Sequence, residues 1–393
     1  MPRPSFELKC GDATDLAAGR ALLRGGSRSF YAASFLLPRR VREPATALYA
    51  FCRLADDAVD LADRPQEALI ALNQRLERVY CGRPQEIPAD RALADVVRAF
   101  AIPRALLEAL IEGFAWDAEG RRYQDLSALY GYCARVAGTV GAMMALLMGA
   151  RDPELVSRAC DLGVAMQLSN IARDLGEDAR RGRLYLPEDW MRQAGLEPDA
   201  WLADPRWSPA LGGILERLLA AADGLYGRAD LGIGRLPLAC RPGIAAARRL
   251  YAEIGHEVRR RGLDSVTQRA VVPPARKLGL LAPILGATVA APSGPSLPPL
   301  EETAYLVEAI ARQPRPRRAS AAGLEDRLVW VLDLFERLER RDRMDSSLLV
   351  LAELILIVGL VFLFGLAQLR SVRRDKGDRK PKTPDPPKEN GTR

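Results

Sequence analysis

From about Leu16 to Ile284 apolar residues recur at intervals of three and four. That spacing places them on one face of a helix with 3.6 residues per turn. Gly and Pro cut the run into segments, as at Pro38, Pro84 and Pro187. Ala, Leu, Arg and Glu dominate over runs of Val, Ile and Thr, and their unbranched side chains lose little freedom in a helix. The pattern predicts an all-α body over residues 1–290, with no internal repeat.

After Ala287 the pattern changes. Two stretches rich in Pro, Ser and Arg, APSGPSLPPL and RQPRPRRAS, predict a linker over 291–322. Leu324, Leu328, Val331, Phe335 and Leu338 then form the stripe of an amphipathic helix over 323–346, whose 323–342 portion suits self-association or docking. From Ser347 to Leu369 the only ionisable group is Glu353. At ~1.5 Å per residue this run is long enough to cross a bilayer core of roughly 30 Å, so a transmembrane helix is expected over 347–369. A basic, disordered tail follows at 370–393.

That tail carries nine Lys/Arg against four Asp/Glu, so +5 of the chain's net +7 lies there. The body has no basic stripe interleaved with aromatics, and nucleic acid is not an expected partner. The N-terminus lacks the apolar run of a signal peptide, which predicts a cytoplasmic folded body anchored by the C-terminal helix. Positive-inside bias keeps the tail in the cytoplasm, whereas a single crossing exports it; the apolar stretch 278–291 is a candidate second entry into the membrane. Six scattered cysteines without a CxxC pair suit reduced thiols, and His256 is the chain's one histidine. Any metal must therefore be held by oxygen ligands.

Two clusters offer them. In RLADDAVD, Asp56 and Asp60 lie four apart on one helical face, with Arg53 one turn earlier and Asp57 turned aside. In NIARDLGED, Asn170, Asp174 and Asp178 repeat the spacing, flanked by Arg173 and Glu177. Aligned carboxylates repel one another unless a cation lies between them. Mg²⁺ (or Mn²⁺) shared between one or two carboxylates per side and a substrate's phosphates fits such a set. A lone cluster of this kind is commonly a solvated face; two clusters, each starting where an apolar run ends, point to a diphosphate clamp.

These residues lie in blocks that resemble the squalene and phytoene synthase family, its bacterial phytoene synthases most closely. The blocks are SRSFYAASFLLP, ALYAFCRLADDAVD, YCARVAGTVGAMM, LGVAMQLSNIARDLGEDARRGRLYLPED and YAEIGHEVRRRGLD, between about Ser27 and Lys277. The resemblance implies an isoprenoid synthase fold, helices around a central apolar cavity with two acidic motifs at its mouth. It casts Asp56, Asp60, Asn170, Asp174 and Asp178 as catalytic metal ligands. Ser27, Ser29, Arg53, Arg173, Tyr251 and Arg269 become diphosphate contacts, and Phe30, Tyr49, Tyr132, Val136, Gly138, Val140 and Gln167 cavity residues. Phe51 is a further candidate for stabilising a carbocation through its ring, Met143, Met144 and Leu147 extend the apolar wall, and Gly182, Arg183 and Tyr185 form a turn at the site mouth. On residues alone, the Gly-rich helix around Gly138 and Gly141 reads as tight helix packing; it is the resemblance that makes it line the cavity.

The implied reaction joins two prenyl diphosphates head to head through a cyclopropyl diphosphate. Phytoene synthesis from geranylgeranyl diphosphate needs no NADPH; squalene or dehydrosqualene synthesis from farnesyl diphosphate is the alternative within the class. A non-catalytic membrane scaffold of the same fold would have eroded acidic positions, and none is eroded here. Expected partners are the prenyl diphosphate, the membrane and other carotenoid enzymes.

Overall fold

The structure, a computed structural model, describes residues 13–26, 33–281 and 296–313. Among them every regular element is helical, as the apolar spacing predicts. Several helices open on a proline whose missing N–H has no partner to lose there, at Pro65, Pro88, Pro153 and Pro209. Others gain a side-chain cap: Asp125 accepts from Ala128 N at 2.8 Å and Asp152 from Leu155 N at 3.1 Å.

Four of these elements build the site. The first acidic helix is Arg39–Asp60 and the second is Pro153–Arg180. Helix Arg104–Ala118 stands beside them. The fourth is a wall running over 126–147, made of Leu126–Cys133, a π turn at Ala134–Gly138 and Thr139–Leu147. Helix Arg241–Arg260 contributes Leu250, Tyr251 and Ile254. Two apolar clusters support this frame. One is built on Phe51, Leu72, Leu93, Leu106 and Met143, the other on Leu129, Leu168, Ile171, Leu215 and Tyr226. The cavity takes wall residues from both, Leu110 and Phe114 from the first and Tyr132 and Tyr251 from the second.

Glycines let the wall approach the second acidic helix. A Cβ at Gly141 would collide with the Ala159 carbonyl, and one at Gly163 with the Ala137 carbonyl. Tight packing is thus the structural role of this Gly-rich stretch, and Gly138 shares it: it faces Leu306 and Thr303, away from the cavity to which the family resemblance assigned it.

Leu306 belongs to helix Glu301–Ala311, which falls inside the expected 291–322 linker and corrects that boundary. Thr303, Leu306, Val307 and Ile310 are buried, an i, i+3, i+4, i+7 stripe that prolines on both sides masked in composition. The Pro298 carbonyl accepts from Arg158 and Arg228, and Glu302 accepts from Ser127 Oγ at 2.6 Å, fastening this helix to the rest of the helical body. No helix among the described residues is long and apolar enough to cross a membrane. The expected elements at 323–346, 347–369 and 370–393 lie outside the described residues.

Candidate active site

A cavity of about 530 Å³ opens among these helices. Along helices Arg39–Asp60 and Arg104–Ala118 its lining residues change from charged to uncharged or apolar within a turn or two, while the second acidic helix gives charged and polar residues and the wall runs from a tyrosine to valines. The first acidic helix gives Asp56 and Arg53, then Cys52 and Tyr49; the second gives Arg173 and Asn170, then Gln167. Helix Arg104–Ala118 gives Asp117, then Phe114 and Leu110, and the wall gives Tyr132, then Val136 and Val140. The cavity therefore has a polar end, where a charged head group is stabilised, and an apolar end that suits a hydrocarbon chain.

Asp56 points into the polar end, and Asp57 is turned aside to pair with Arg53 at 2.7 Å, as the helical spacing predicts. Burial, then the Asp60 charge, pushes the Asp56 carboxyl up to about 6 despite Arg53 nearby. On the opposite helix burial, then Asp174, pushes Asp178 up to about 7. Asp117 adds to both shifts, so the two acidic stripes share one electrostatic environment. Arg183 spans them. It donates to Asp60 Oδ1 at 2.7 Å and also lowers Asp178.

Asp174 differs because two guanidinium groups hold it. Burial alone raises it, but Arg173 at 2.5 Å and Arg269 at 2.6 Å outweigh that and leave its carboxyl below the usual range. Arg269 sits on a strap, residues 264–273, that crosses the second acidic helix where Gly176 N donates to Ser265 O at 3.0 Å. A Cβ at Gly176 would meet the Val266 carbonyl, so glycine is what lets the strap lie there. Beyond it Val271, Val272 and Lys277 complete this side of the cavity.

The structure brings together Asp56, Asn170, Arg53, Arg173, Tyr251, Arg269, Tyr49, Tyr132, Val136, Val140 and Gln167, with Asp60, Asp174 and Asp178 linked to them through Arg183, Arg173 and Arg269. Phe51 is instead fully buried in the core with Arg75 over its ring, and Met143 is buried in the same cluster. Ser27, Ser29 and Phe30 lie outside the described residues. Asp117 and Lys277 were not legible in the sequence. Asp117 accepts from Tyr132 at 2.9 Å and Tyr185 at 2.7 Å, beneath stacked tyrosine rings. Asp117, in FAWDAEG, has no acid three or four positions away to give a spacing signal, and its tyrosine partners are 15 and 68 residues away.

Among the described residues no three acidic or thiol side chains converge on one point. The acids instead stand in two opposed groups, which suits a hard cation completing its oxygen shell from a diphosphate. Two half-buried carboxylates raised toward neutrality by burial and by the neighbouring Asp60, Asp174 and Asp117 fit such an ion.

The chain matches the squalene/phytoene synthase family over residues 23–276. It is 52% identical to a phytoene synthase of Cereibacter sphaeroides, over 84% of this chain and 96% of that one. It is also 52% identical to a phytoene synthase of Rhodobacter capsulatus, over 78% and 93%. A crystal structure of a dehydrosqualene synthase with a ligand superposes with a TM-score of 0.63 at 31% identity, over 70% of this chain and 96% of that one. With its cavity, opposed acidic helices and family match, the chain belongs to the squalene/phytoene synthase family.

Proposed function

We propose that the protein is a phytoene synthase, a prenyltransferase that joins two geranylgeranyl diphosphates head to head, by way of a cyclopropyl diphosphate, to phytoene. The observation that carries this reading is one cavity with charged groups at one end (Arg53, Asp56, Asp117, Arg173) and apolar ones at the other (Leu110, Phe114, Val136, Val140), which fits an anionic head and a long hydrocarbon tail. The 52% identity to two phytoene synthases supports the C20 substrate.

In this reading Asp56 and Asp60 on one side, and Asn170, Asp174 and Asp178 on the other, hold Mg²⁺ or Mn²⁺. When bound, the ion neutralises the diphosphate and makes it a competent leaving group. Arg53, Arg173, Arg269 and Lys277 bind diphosphate oxygens; Arg173 and Arg269 exchange the Asp174 carboxylate for them. The apolar walls keep water from the allylic cation left behind. Both diphosphates leave and two protons are lost, one as the cyclopropane closes and one from the final cation, so no hydride donor is required and NADPH is not a cofactor.

Residues 347–369 are proposed as a membrane anchor for a cytoplasmic catalytic body, and 323–342 as a surface for self-association or for other carotenoid enzymes. Substrate tail and product are lipid-soluble, and an anchor keeps the cavity near the phase into which they partition.

The test is incubation of the full chain with C15 or C20 diphosphate and Mg²⁺, with and without NADPH, followed by identification of the hydrocarbon. A C40 hydrocarbon with a conjugated triene at its centre, formed without NADPH, is expected. A C30 product, or no product from the C20 substrate, overturns the reading.

A further inference from the structure

Gly113 lies in the middle of helix Arg104–Ala118, buried, where glycine costs the helix up to about 1 kcal/mol relative to alanine. Its surroundings explain the choice. A Cβ at position 113 would stand 2.6 Å from Val136 Cγ1 and 3.1 Å from Arg135 Cβ. Val136 is the middle residue of the π turn Ala134–Gly138, and it lines the cavity between Tyr132 and Val140. Residues at i, i+4 and i+8 drift round an ordinary α-helix, because four residues exceed one turn; the wider π turn takes up part of that drift and holds the three on one line.

The turn cannot retreat from the cavity. Behind it Gly163 packs against the Ala137 carbonyl and Gly141 against the Ala159 carbonyl, at approaches that leave no room for a methyl group. On its far side Gly138 rests on Leu306 and Thr303 of helix Glu301–Ala311. A group added at position 113 therefore displaces the Val136 side chain, which lines the cavity together with Phe114, beyond the polar end marked by Asp117 and Tyr132.

We infer that the Gly113–Val136 contact sets the usable length of the cavity's apolar end, with Gly113 as a positioning residue for prenyl tail length and Val136 as the side chain that meets the tail. The inference rests on the proposed prenyl diphosphate chemistry of the same cavity.

The experiment measures kcat/KM for C20 and for C15 diphosphate in the full-length wild type, Gly113→Ala, Val136→Ala and the double variant, with folding checked by circular dichroism and Tm. Gly113→Ala is expected to lower the C20-to-C15 ratio by about tenfold, the scale on which one methylene in an apolar pocket discriminates. Val136→Ala is expected to raise it several-fold. The double variant, in which the added methyl has space, is expected to return toward the wild-type ratio. If Gly113→Ala does not fold, Val136→Ala and the double variant decide. Ratios within twofold of wild type in both of these overturn the inference. Failure of the wild type to convert either diphosphate overturns the proposed function instead, so the two failures are distinct.

Discussion

Arg183 donates to Asp60 at 2.7 Å, joining the turn after the second acidic helix to the last residue of the first. Gly182 makes this reach feasible. Its φ of +75° turns the chain back on itself, so that Arg183 N also bonds the Asp178 carbonyl at 2.9 Å. One residue thus touches both acidic motifs, through its backbone at Asp178 and its guanidinium at Asp60.

Arg183→Gln should lower kcat/KM by about 10- to 100-fold, the scale of losing a group that orients metal ligands, with Arg183→Lys recovering part of the loss. The pair is partly open to water, so Tm should change little. Steady-state rates at saturating Mg²⁺ check this, and a kcat/KM within twofold of wild type refutes it.

Asp56 and Asp178 give a prediction with a definite sign. Each has its folded pKa raised, to about 6 and about 7, from the ordinary carboxylate value of 3.8. Between those limits the folded chain binds more protons than the unfolded one, so ligand-free stability is favoured at low pH and falls as pH rises through the window. Asp56→Asn or Asp178→Asn should therefore raise Tm of the ligand-free protein at pH 8 and leave it nearly unchanged at pH 4, while turnover falls on the order of 10³-fold. In the proposed reading metal and diphosphate binding needs the ionised carboxylates, so kcat/KM should climb between about pH 5 and pH 7.5 and binding should release protons. Calorimetry in buffers of different ionisation enthalpy reads that release; binding without proton release across this range counts against the assignment.

The acidic stripes were legible because carboxylates four apart must share a helical face, and Asp56 with Asp57 turned aside follows that rule in the structure. Spacing within one helix reveals its faces but not its neighbours. Gly138 is small and flanked by two cavity residues, Val136 and Val140, yet a different helix covers it. Asp117 depends on tyrosines remote in sequence, and helix Glu301–Ala311 hides between proline-rich stretches although its buried positions have helical spacing. What escaped the sequence reading is in each case a contact between distant segments.

Deleting 319–393 leaves helix Glu301–Ala311 and its bonds to Arg158, Arg228 and Ser127 within the chain. The truncated protein should fold and turn over soluble substrate at close to the full-length rate, but lose membrane fractionation and give less carotenoid in cells. Truncation at residue 295 should instead uncover Leu306's seat on Gly138 and lower Tm by several degrees. Unchanged fractionation and carotenoid yield after the shorter deletion would sink the proposed anchor.

The strap offers a way to separate positioning from catalysis. At Gly176 it lies so close to the second acidic helix that a side chain has no space, and this closeness delivers Arg269 to Asp174 at 2.6 Å. Gly176→Ala should push the strap outward and draw Arg269 away, raising KM for the diphosphate about tenfold and costing about 1–3 kcal/mol of stability through overpacking. Arg269→Gln should raise KM similarly with little loss of Tm, because its side chain is 44% exposed. Both substitutions remove one interaction, so their effects on KM should be strongly non-additive in the double variant. Gly224→Ala is the control. It sits in helix Pro209–Ile233 with nothing within 4 Å of an added Cβ, and should leave KM unchanged while raising stability by up to about 1 kcal/mol. Additive KM effects of Gly176→Ala and Arg269→Gln would mean that the strap acts on the site by some route other than Arg269.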